Sequence, residues 1–356
     1  MFEMINRTDR FHLYYLLVNN IQEEKYSGLS HVAEHACLLQ DVAAMQLWGQ
    51  GYTYFNHVCL HFCSSTLEIL LEIDKRILAG KSFTSQNVHL AKRQVIQEIN
   101  RLQQHAQKSK QLIGFVTDKR IGKFPLGEIE DIKKINEEDI MEWFASIKEN
   151  GNIFRFIFRN AHEMILSTPI QPYVTSYPVN SQMDVLGVNI GESFWPTPSV
   201  RPTTISLYCK IPALQSKQHI VLKAFVEYCI ERELNNSLGR NVTMLDQYFD
   251  TDERFWVFQI PLDDEPIEYI LKSFHSTLDQ ISSINFELYK DSFLEWATSI
   301  IDRNTSNCDV INAIKNWILY RTPSVEIEDI DYIKSLGHNP LIKGKRVDVP
   351  LKIVIR

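Results

Sequence analysis

The predicted strands and helices of this chain follow the same order twice, on either side of a proline-rich stretch. Alternating apolar residues predict strands, and an apolar repeat of about 3.6 residues predicts helices. In the first half, these patterns predict strands at 11–18, 52–62 and 153–158 and helices at 28–40, 65–79, 85–105 and 137–148. In the second half, they predict strands at 203–211 and 255–261 and helices at 218–238, 266–282 and 284–302. We therefore predict a duplicated α+β fold, in which each copy is an antiparallel-type sheet covered by helices.

The length of the chain also favours two domains, because 356 residues exceed what one hydrophobic core usually organises. The stretch between the two halves is rich in proline, which interrupts long helices. Its prolines are Pro169, Pro172, Pro178, Pro196 and Pro198. We predict a first domain at 1–163, a linker at 164–199 and a second domain at 200–356.

Charge and hydropathy argue against two classes of partner. The net charge is -7 and the lysines and arginines are scattered, so binding to nucleic acid is not expected. No apolar run reaches the roughly 20 residues that a membrane helix needs. Residues 1–10 are not followed by a secretory signal, and six cysteines in so long a chain are typical of reduced thiols. These features predict a cytoplasmic protein without a membrane segment.

A metal-binding pattern lies in the predicted helix at 28–40. His31 and His35 are four residues apart, which places both imidazoles one turn apart on the same side of a helix, with Glu34 beside them. The apolar residues Leu29, Val32, Ala36 and Leu39 cluster on the opposite side. A catalytic zinc site uses three protein ligands and leaves a fourth position for water. The pattern therefore requires one further ligand from elsewhere in the chain.

Glu98 is the candidate for this third ligand. It lies at the edge of the apolar face of the predicted helix at 85–105. A carboxylate there is costly unless it is paired or bound to a metal. An isolated helical glutamate usually faces water, so the assignment of Glu98 depends on the histidine pair. If the motif arose by chance in an unrelated metal-dependent hydrolase, Glu98 would lie far from His31 and His35.

The order of these residues resembles that of the inverzincin peptidases, which include pitrilysin, insulysin and the mitochondrial processing peptidase. The family segment Gly-x-x-His-x-x-Glu-His is matched by residues 28–35, and the third-ligand segment by residues 95–99. The resemblance implies a zinc endopeptidase that acts on small or unfolded peptides within a clamshell, of which this chain would form half. Zn²⁺ would be held by His31, His35 and Glu98, with Glu34 as the general base. Removal of leader sequences from ribosomally made peptides is one activity that fits.

Three departures from the family pattern refine this expectation. Fewer residues than usual separate His35 from Glu98, and Ala91 stands where a second acidic residue is common. The family's second domain usually supplies an Arg and, seven residues later, a Tyr that hold the substrate carbonyl. The matching positions here are Asn235 and Val242. We therefore predict a heterodimer in which a second family subunit supplies the Arg/Tyr pair.

Two residues of this chain offer a weaker alternative to the missing pair. Arg240 and Tyr248 lie eight residues apart in the same region, and this chain itself could use them in place of the Arg/Tyr pair to hold the substrate.

An alternative to the peptidase function is that of a non-catalytic assembly or recognition subunit of a peptidase complex, a role that some members of the family have.

The predicted strand at 52–62 has two interpretations. In the family, the corresponding strand is an open edge to which the substrate adds as a further strand, so Tyr54 and Asn56 are candidate substrate contacts. The alternating residues His57, Cys59, His61 and Cys63 would share one face of this strand. Four positions on one strand cannot enclose a tetrahedral ion, which favours packing, although a contribution of two ligands stays open.

Overall fold

The chain forms two compact units in a computed structural model. The first unit comprises Met1–Gly114, Asp118–Gln171 and Thr305–Leu319, and the second comprises Phe115–Thr117, Pro172–Asn304 and Tyr320–Arg356. The structure describes residues 10–39, 47–159, 163–168, 185–195, 204–211, 217–239, 241–248, 254–262, 266–281, 286–303, 311–312, 314–315, 318–319 and 346–355.

The first unit contains a five-stranded sheet and several helices. Its strands are β1 (Phe11–Val18), β2 (Trp48–Thr53), β3 (His57–Ser64), β4 (Ile153–Phe158) and β5 (Met164–Ser167). Its helices are α1 (Leu29–Leu38), α2 (Leu67–Leu78), α3 (Ser85–Thr117), α4 (Ile129–Lys134) and α5 (Glu137–Glu149), the last residues of α3 being grouped with the second unit. The strand order is β2-β3-β1-β4-β5, and all neighbours are antiparallel.

The alternation of side chains along β1 explains how this sheet is buried. Leu13, Tyr15 and Leu17 share one face and belong to the same hydrophobic core as buried residues of α1, α2, α3 and α5. His12 and Tyr14, on the opposite face, are buried as well. Both faces of the central strand are therefore covered, whereas β2 lies at one end of the strand order and has β3 as its single neighbour among the described strands.

The second unit repeats the central part of this topology. Its strands are β6 (Val185–Trp195), β7 (Thr204–Ile211), β8 (Thr243–Tyr248), β9 (Arg254–Pro261) and β10 (Arg346–Ile355). Its helices are α6 (Lys217–Leu238), α7 (Ile267–Ile281) and α8 (Phe286–Arg303). The order β8-β9-β7-β10 corresponds to β2-β3-β1-β4, with α6 following β7 as α1 follows β1. The prediction of a duplicated α+β fold is confirmed, although β6 and β10 pair in parallel.

Three predicted elements differ in detail from those observed. The single strand predicted at 52–62 is a hairpin of β2 and β3, closed where the amide of Tyr54 donates to the carbonyl of His57 at 2.8 Å. Helix α3 continues past residue 105 to Thr117 and is followed by Asp118, which adopts a left-handed conformation with φ 55°. Within 164–199, where prolines predicted a linker, β5 and β6 are strands. The five prolines themselves lie outside the described residues.

The structure describes five of the six cysteines. Cys37, Cys59, Cys63, Cys209 and Cys229 are buried and free of disulfides, and Cys308 lies outside the described residues. Within the described part of the chain, no helix is long and apolar enough to cross a membrane.

A buried polar contact joins α2 to the central sheet and carries a stability prediction. Asp74 accepts a hydrogen bond from the Tyr15 hydroxyl at 2.5 Å and pairs with the guanidinium of Arg155. Asp74→Ala leaves a partly buried cation without its acceptor and the buried Tyr15 hydroxyl with only the backbone carbonyl of residue 74, 3.3 Å away, so we expect the free energy of unfolding to fall by about 3 kcal/mol. Urea denaturation measures this loss, and Glu68→Ala, at an exposed position of the same helix, should change it little.

Candidate active site

The start of α1 is fixed by close contact with the loop that precedes α4. Gly28 has φ 90°, and a Cβ on it would lie 2.8 Å from the Cα of Gly127. Only glycine tolerates both the left-handed conformation and this approach. The contact brings the carbonyl of Leu126 within 3.2 Å of His31 Nδ1. The glycine that precedes the histidine motif therefore determines where the first imidazole lies.

The structure brings the three predicted ligands together. Glu98 Oε2 lies 3.5 Å from His31 Nε2 and 3.4 Å from His35 Nε2. One ligand atom from each of the three residues lies within 4.8 Å of the others. Among the described residues, this is the single group of three or more such side chains in that arrangement. The alternative in which Glu98 lies far from the histidines is therefore excluded.

Oxygen acceptors orient both imidazoles from their other ring nitrogen. His31 Nδ1 faces the Leu126 carbonyl, and His35 Nδ1 lies 3.0 Å from Oε1 of Gln94, one turn before Glu98 on α3. A proton on each Nδ1 satisfies these contacts and keeps the Nε2 atoms for a metal ion or for Glu98, to which His31 Nε2 donates when its imidazole is protonated. Although Gln94 is exposed, its side-chain oxygen orients the imidazole of His35.

The charges in this group favour a negative Glu98. The hydrogen bond from His31 lowers the pKa of Glu98 below its usual value, against the opposing effect of burial. Burial lowers the pKa of His31, but the hydrogen bond to Glu98 and the charge of Glu34 outweigh it and raise that pKa overall. The site therefore attracts positive charge.

Glu34 lies beside the three residues as a buried carboxylate, only 5% exposed. Burial raises its pKa, and the charge of His31 and a hydrogen bond from Thr53 Oγ1 to Glu34 Oε2, 2.6 Å long, oppose the rise. A raised pKa makes a carboxylate a better proton acceptor near neutral pH. Both the position and the basicity of Glu34 suit a general base.

Strand β2 forms the wall against which Glu34 rests. A Cβ on Gly51 would lie 2.5 Å from Cγ of Glu34 and 2.6 Å from its Oε1. Gly51 and Thr53 are two residues apart and therefore face the same side of the strand, towards the carboxylate. Neither residue was predicted from the sequence. A glycine two positions before a threonine is not a recognisable motif, and its role depends on the packing of β2 against α1.

The predicted substrate contacts lie in the turn between β2 and β3 rather than along a strand. Tyr54 is 42% exposed, and its ring stacks on the imidazole of His57 with 4.4 Å between centroids. Asn56 Oδ1 lies 2.7 Å from His57 Nδ1. Among the described strands, β2 lies at one end of the sheet, and it ends one residue before Tyr54.

The alternating His and Cys residues of β3 pack within the sheet. His61 Nε2 lies 3.1 Å from His12 Nδ1, and Cys59 Sγ accepts a hydrogen bond from the Tyr14 hydroxyl at 2.8 Å. Every residue of β3 is buried. These contacts favour the packing interpretation over a contribution of ligands to a metal.

In the second unit, the two positions that match the family's Arg/Tyr pair contact one another. The amide of Val242 donates to Asn235 Oδ1 at 2.7 Å, and the Val242 side chain is buried. These residues close the end of α6 and offer neither a cation nor a phenol. Arg240 lies outside the described residues, and Tyr248 is the last residue of β8.

Solved peptidase structures share this fold. No family model and no curated protein sequence matches the chain. The periplasmic protease PqqL from Escherichia coli has a TM-score of 0.67 at 12% identity, with 97% of this chain and 45% of that chain covered. Pitrilysin gives 0.60 at 11% identity, with 97% and 42% covered. The peptidase M16 inactive domain from Pseudomonas fluorescens gives 0.59 at 12% identity, with 97% and 93% covered.

These similarities are similarities of fold. The chain spans less than half the length of the PqqL protease and of pitrilysin. The predicted resemblance to the pitrilysin-type peptidases is confirmed at the level of the fold, and the predicted fold class is confirmed with it.

Proposed function

We propose that this chain is the zinc-carrying subunit of a metallopeptidase, with His31, His35 and Glu98 as ligands and Glu34 as the general base. The observation that carries the proposal is the convergence of two imidazoles and one carboxylate beside a second, buried carboxylate, within the fold of known peptidases.

The donor set suits zinc. Two imidazole nitrogens and one carboxylate oxygen are a ligand combination of catalytic zinc sites, which keep a position for water. Both Nδ1 atoms face oxygen acceptors at 3.2 and 3.0 Å, which is the outer contact that ligating histidines usually make. Glu98 is only half-buried, so the pocket is accessible from solvent on the side of α3.

The chemistry of the site follows from the positions of its residues. Zinc held there would acidify a water molecule and polarise the scissile carbonyl. Glu34 takes the proton of the attacking water and passes it to the leaving amine. Thr53 and Gly51 hold the Glu34 carboxylate in one orientation, and its burial keeps competing water away from it. The reaction supported is hydrolysis of a peptide bond.

The substrate carbonyl needs a partner that this chain does not offer at the matching positions. We infer a heterodimer in which a second subunit of the same fold supplies an arginine and a tyrosine to stabilise the oxyanion. The contact between Asn235 and Val242 supports this inference, because it commits both positions to closing α6. Small or unfolded peptides, including leader segments of ribosomally made peptides, are the proposed substrates, and the cytoplasm is the proposed location.

One experiment tests the assignment. The purified chain should contain one zinc ion per molecule yet cleave a pool of unstructured peptides poorly, and addition of its partner subunit, co-expressed from the neighbouring gene, should raise cleavage strongly. His35→Ala should abolish zinc binding. Absence of zinc from the wild-type protein would refute the metallopeptidase assignment, and robust cleavage without a partner would refute the heterodimer.

Gln94 provides a prediction on metal affinity. Gln94→Ala removes the acceptor of His35 Nδ1, so we expect zinc affinity to fall by about 10- to 100-fold. Gln94→Glu keeps an acceptor in place and should retain or strengthen binding. Competition with a zinc chelator measures both variants without reference to activity. Gln97→Ala, at an exposed position of the same helix, is the matched control and should bind zinc normally.

A non-catalytic assembly or recognition subunit is the second candidate. The observation in its favour is the similarity to a structure described as an inactive domain. The complete group of His31, Glu34, His35 and Glu98 argues against it, since a recognition subunit has no need of that arrangement. A complex whose peptide cleavage is indifferent to Glu34 would support this second candidate.

A further inference from the structure

Helix α3 is strongly basic, although the chain as a whole is acidic. Its 33 residues include five lysines or arginines and one acidic residue, Glu98, so the helix has a net charge of +4, whereas the chain has -7. The five cations are Lys92, Arg93, Arg101, Lys108 and Lys110. Cations stabilise the last turn of a helix, but none of these residues lies there. The helix dipole therefore does not account for them.

Two of the five cations have partners within the fold. Lys92 Nζ donates to the carbonyls of Lys133 and Ile135 at 2.7 and 2.6 Å, where α4 ends. Lys110 Nζ donates to the carbonyl of Gly122 at 2.7 Å. These hydrogen bonds hold neighbouring segments against α3, so both ammonium groups have a structural role.

Two other cations lie on the side of α3 that carries Glu98. Arg101 and Lys108 are three and ten residues after Glu98, which at about 100° per residue places both within about 80° of it around the helix. His105 lies between them on the same side. All three residues are exposed, and we call them the basic stripe: Arg101, His105 and Lys108. Arg93, by contrast, lies about 140° from Glu98.

The two cations of the basic stripe have no counter-ion in the described part of the chain. No carboxylate there forms an ion pair with Arg101 or Lys108. Exposed cations of this kind attract anions, and salt weakens the attraction. On a chain that is acidic overall, the stripe would therefore attract an acidic ligand to one face of α3.

The basic stripe begins beside the metal-binding group. Side chains on a helix lean towards its N-terminus, so the long side chain of Arg101 extends back towards the turn that carries Glu98. The pKa of Glu98 is lowered first by the hydrogen bond from His31 and also by the charge of Arg101, which agrees with this proximity. At about 1.5 Å per residue, Lys108 lies about 15 Å beyond Glu98 along the helix. The stripe therefore leads away from the site along an exposed helix.

The length and charge of the basic stripe fit a peptide better than a nucleic acid. An extended peptide advances about 3.3 Å per residue, so about 15 Å corresponds to four or five residues. A peptide that enters the metal site can therefore place acidic side chains beside both cations. Binding of nucleic acid depends on many phosphate contacts, for which two cations are few.

We propose that the basic stripe is a subsite for acidic residues of the substrate, in which Arg101 and Lys108 bind Asp or Glu side chains within about five residues of the scissile bond, on one side of it. The substrate class is then a peptide with an acidic segment, and Arg101 and Lys108 determine specificity. This inference rests on the proposed function in taking as its ligand a peptide that reaches Glu98.

Peptide binding to the full-length Glu34→Gln protein tests the subsite. Three sets of capped peptides, randomised over uncharged residues, carry a central block of three Asp, three Asn or three Lys. Binding is measured at low salt by equilibrium dialysis and mass spectrometry. We expect the Asp set to bind about fivefold more tightly than the Asn set, which corresponds to about 1 kcal/mol, and the Lys set to bind most weakly. Sodium chloride at about 0.5 M should remove most of the difference.

Variants of Arg101 and Lys108 decide whether the preference arises in the basic stripe. Arg101→Gln and Lys108→Gln should each reduce it, and the double variant should abolish it while keeping its zinc, because neither residue is among the three converging ligands. Arg101→Glu combined with Lys108→Glu should reverse the preference in favour of the Lys set. Lys75→Glu, at an exposed position on α2, is the matched control and should leave the preference unchanged.

Three results would overturn the subsite. They are equal binding of the Asp and Asn sets, no binding of any set, and a preference that survives the double glutamine variant, as direct binding of Asp to the metal would produce. If the parent protein shows no preference and the double glutamate variant loses its partner subunit, the stripe is a subunit contact and the proposal is wrong.

The outcome for the basic stripe is separable from that for the proposed function, because binding is measured without cleavage. A protein without zinc that still prefers the Asp set would refute the peptidase chemistry and keep the subsite. A protein that binds zinc and cleaves peptides with its partner, yet shows no preference, would keep the proposed function and refute the subsite.

Discussion

Replacement of Glu34 with glutamine is expected to reduce peptide hydrolysis by about a hundredfold to ten-thousandfold, the usual contribution of a general base. Glutamine has nearly the same shape, and its side chain still meets Thr53 and Gly51, so the structure around it should persist. It cannot accept a proton from water. The measurement is the steady-state rate of cleavage of a peptide pool by the chain together with its partner subunit.

A measurement of zinc content distinguishes loss of the general base from loss of the folded structure as the cause of reduced hydrolysis. Glu34 is not among the three converging ligands, so Glu34→Gln should bind zinc as the wild type does. Glu149→Gln, at an exposed position at the end of α5, is the control for the loss of one carboxylate and should remain fully active. Unchanged hydrolysis by Glu34→Gln would remove the proposed mechanism.

A methyl group added at Gly51 is also expected to reduce peptide hydrolysis strongly, because it would displace the Glu34 carboxylate. In Gly51→Ala the new Cβ would meet three atoms of the Glu34 side chain at 2.5 to 2.8 Å, so the carboxylate has to move. A displacement of about 1 Å at a catalytic group can cost about a hundredfold in rate. We expect hydrolysis to fall by about that factor while zinc binding and the unfolding midpoint change little, as measured by activity, metal analysis and thermal denaturation.

Gly49 offers a control on the same strand. The three atoms nearest to a Cβ there are side-chain atoms of Phe62 and Leu38 at 3.2 to 3.4 Å, which small rotations can relieve, and none of the three belongs to Glu34. Gly49→Ala should therefore retain activity. Equal losses in the two variants would indicate a general disturbance of β2 and contradict a specific role for Gly51.

The parts of the fold and site that could be predicted are those with a regular local pattern. His31, Glu34 and His35 lie within five consecutive residues of one helix, so their spacing alone places them on a common side. Glu98 lies far along the chain but on a regular helix, where the apolar stripe indicates which side it faces. Strands β1 and β4, with near-continuous apolar residues, were predicted within one residue of their observed bounds.

The parts that escaped prediction depend on tertiary contacts. Strand β2 contains two glycines and is only partly buried, so neither propensity nor alternation marks it as a strand separate from β3. The roles of Gly51 and Thr53 exist only because β2 packs against α1. Gln94 is an exposed glutamine by every local criterion, and its contact with His35 requires knowledge of how α1 and α3 meet.

The register in which β2 pairs with β3 determines whether a folded, zinc-loaded molecule is active. Gly51 pairs with Leu60 and Thr53 with Val58, which sets both residues towards Glu34. If the hairpin closed one residue out of step, every side chain of β2 would change faces, and Tyr52 would meet the carboxylate in place of glycine and threonine. Such a molecule could stay compact and bind zinc yet be inert. Specific activity per zinc-loaded molecule would then report the fraction of chains whose hairpin closed correctly.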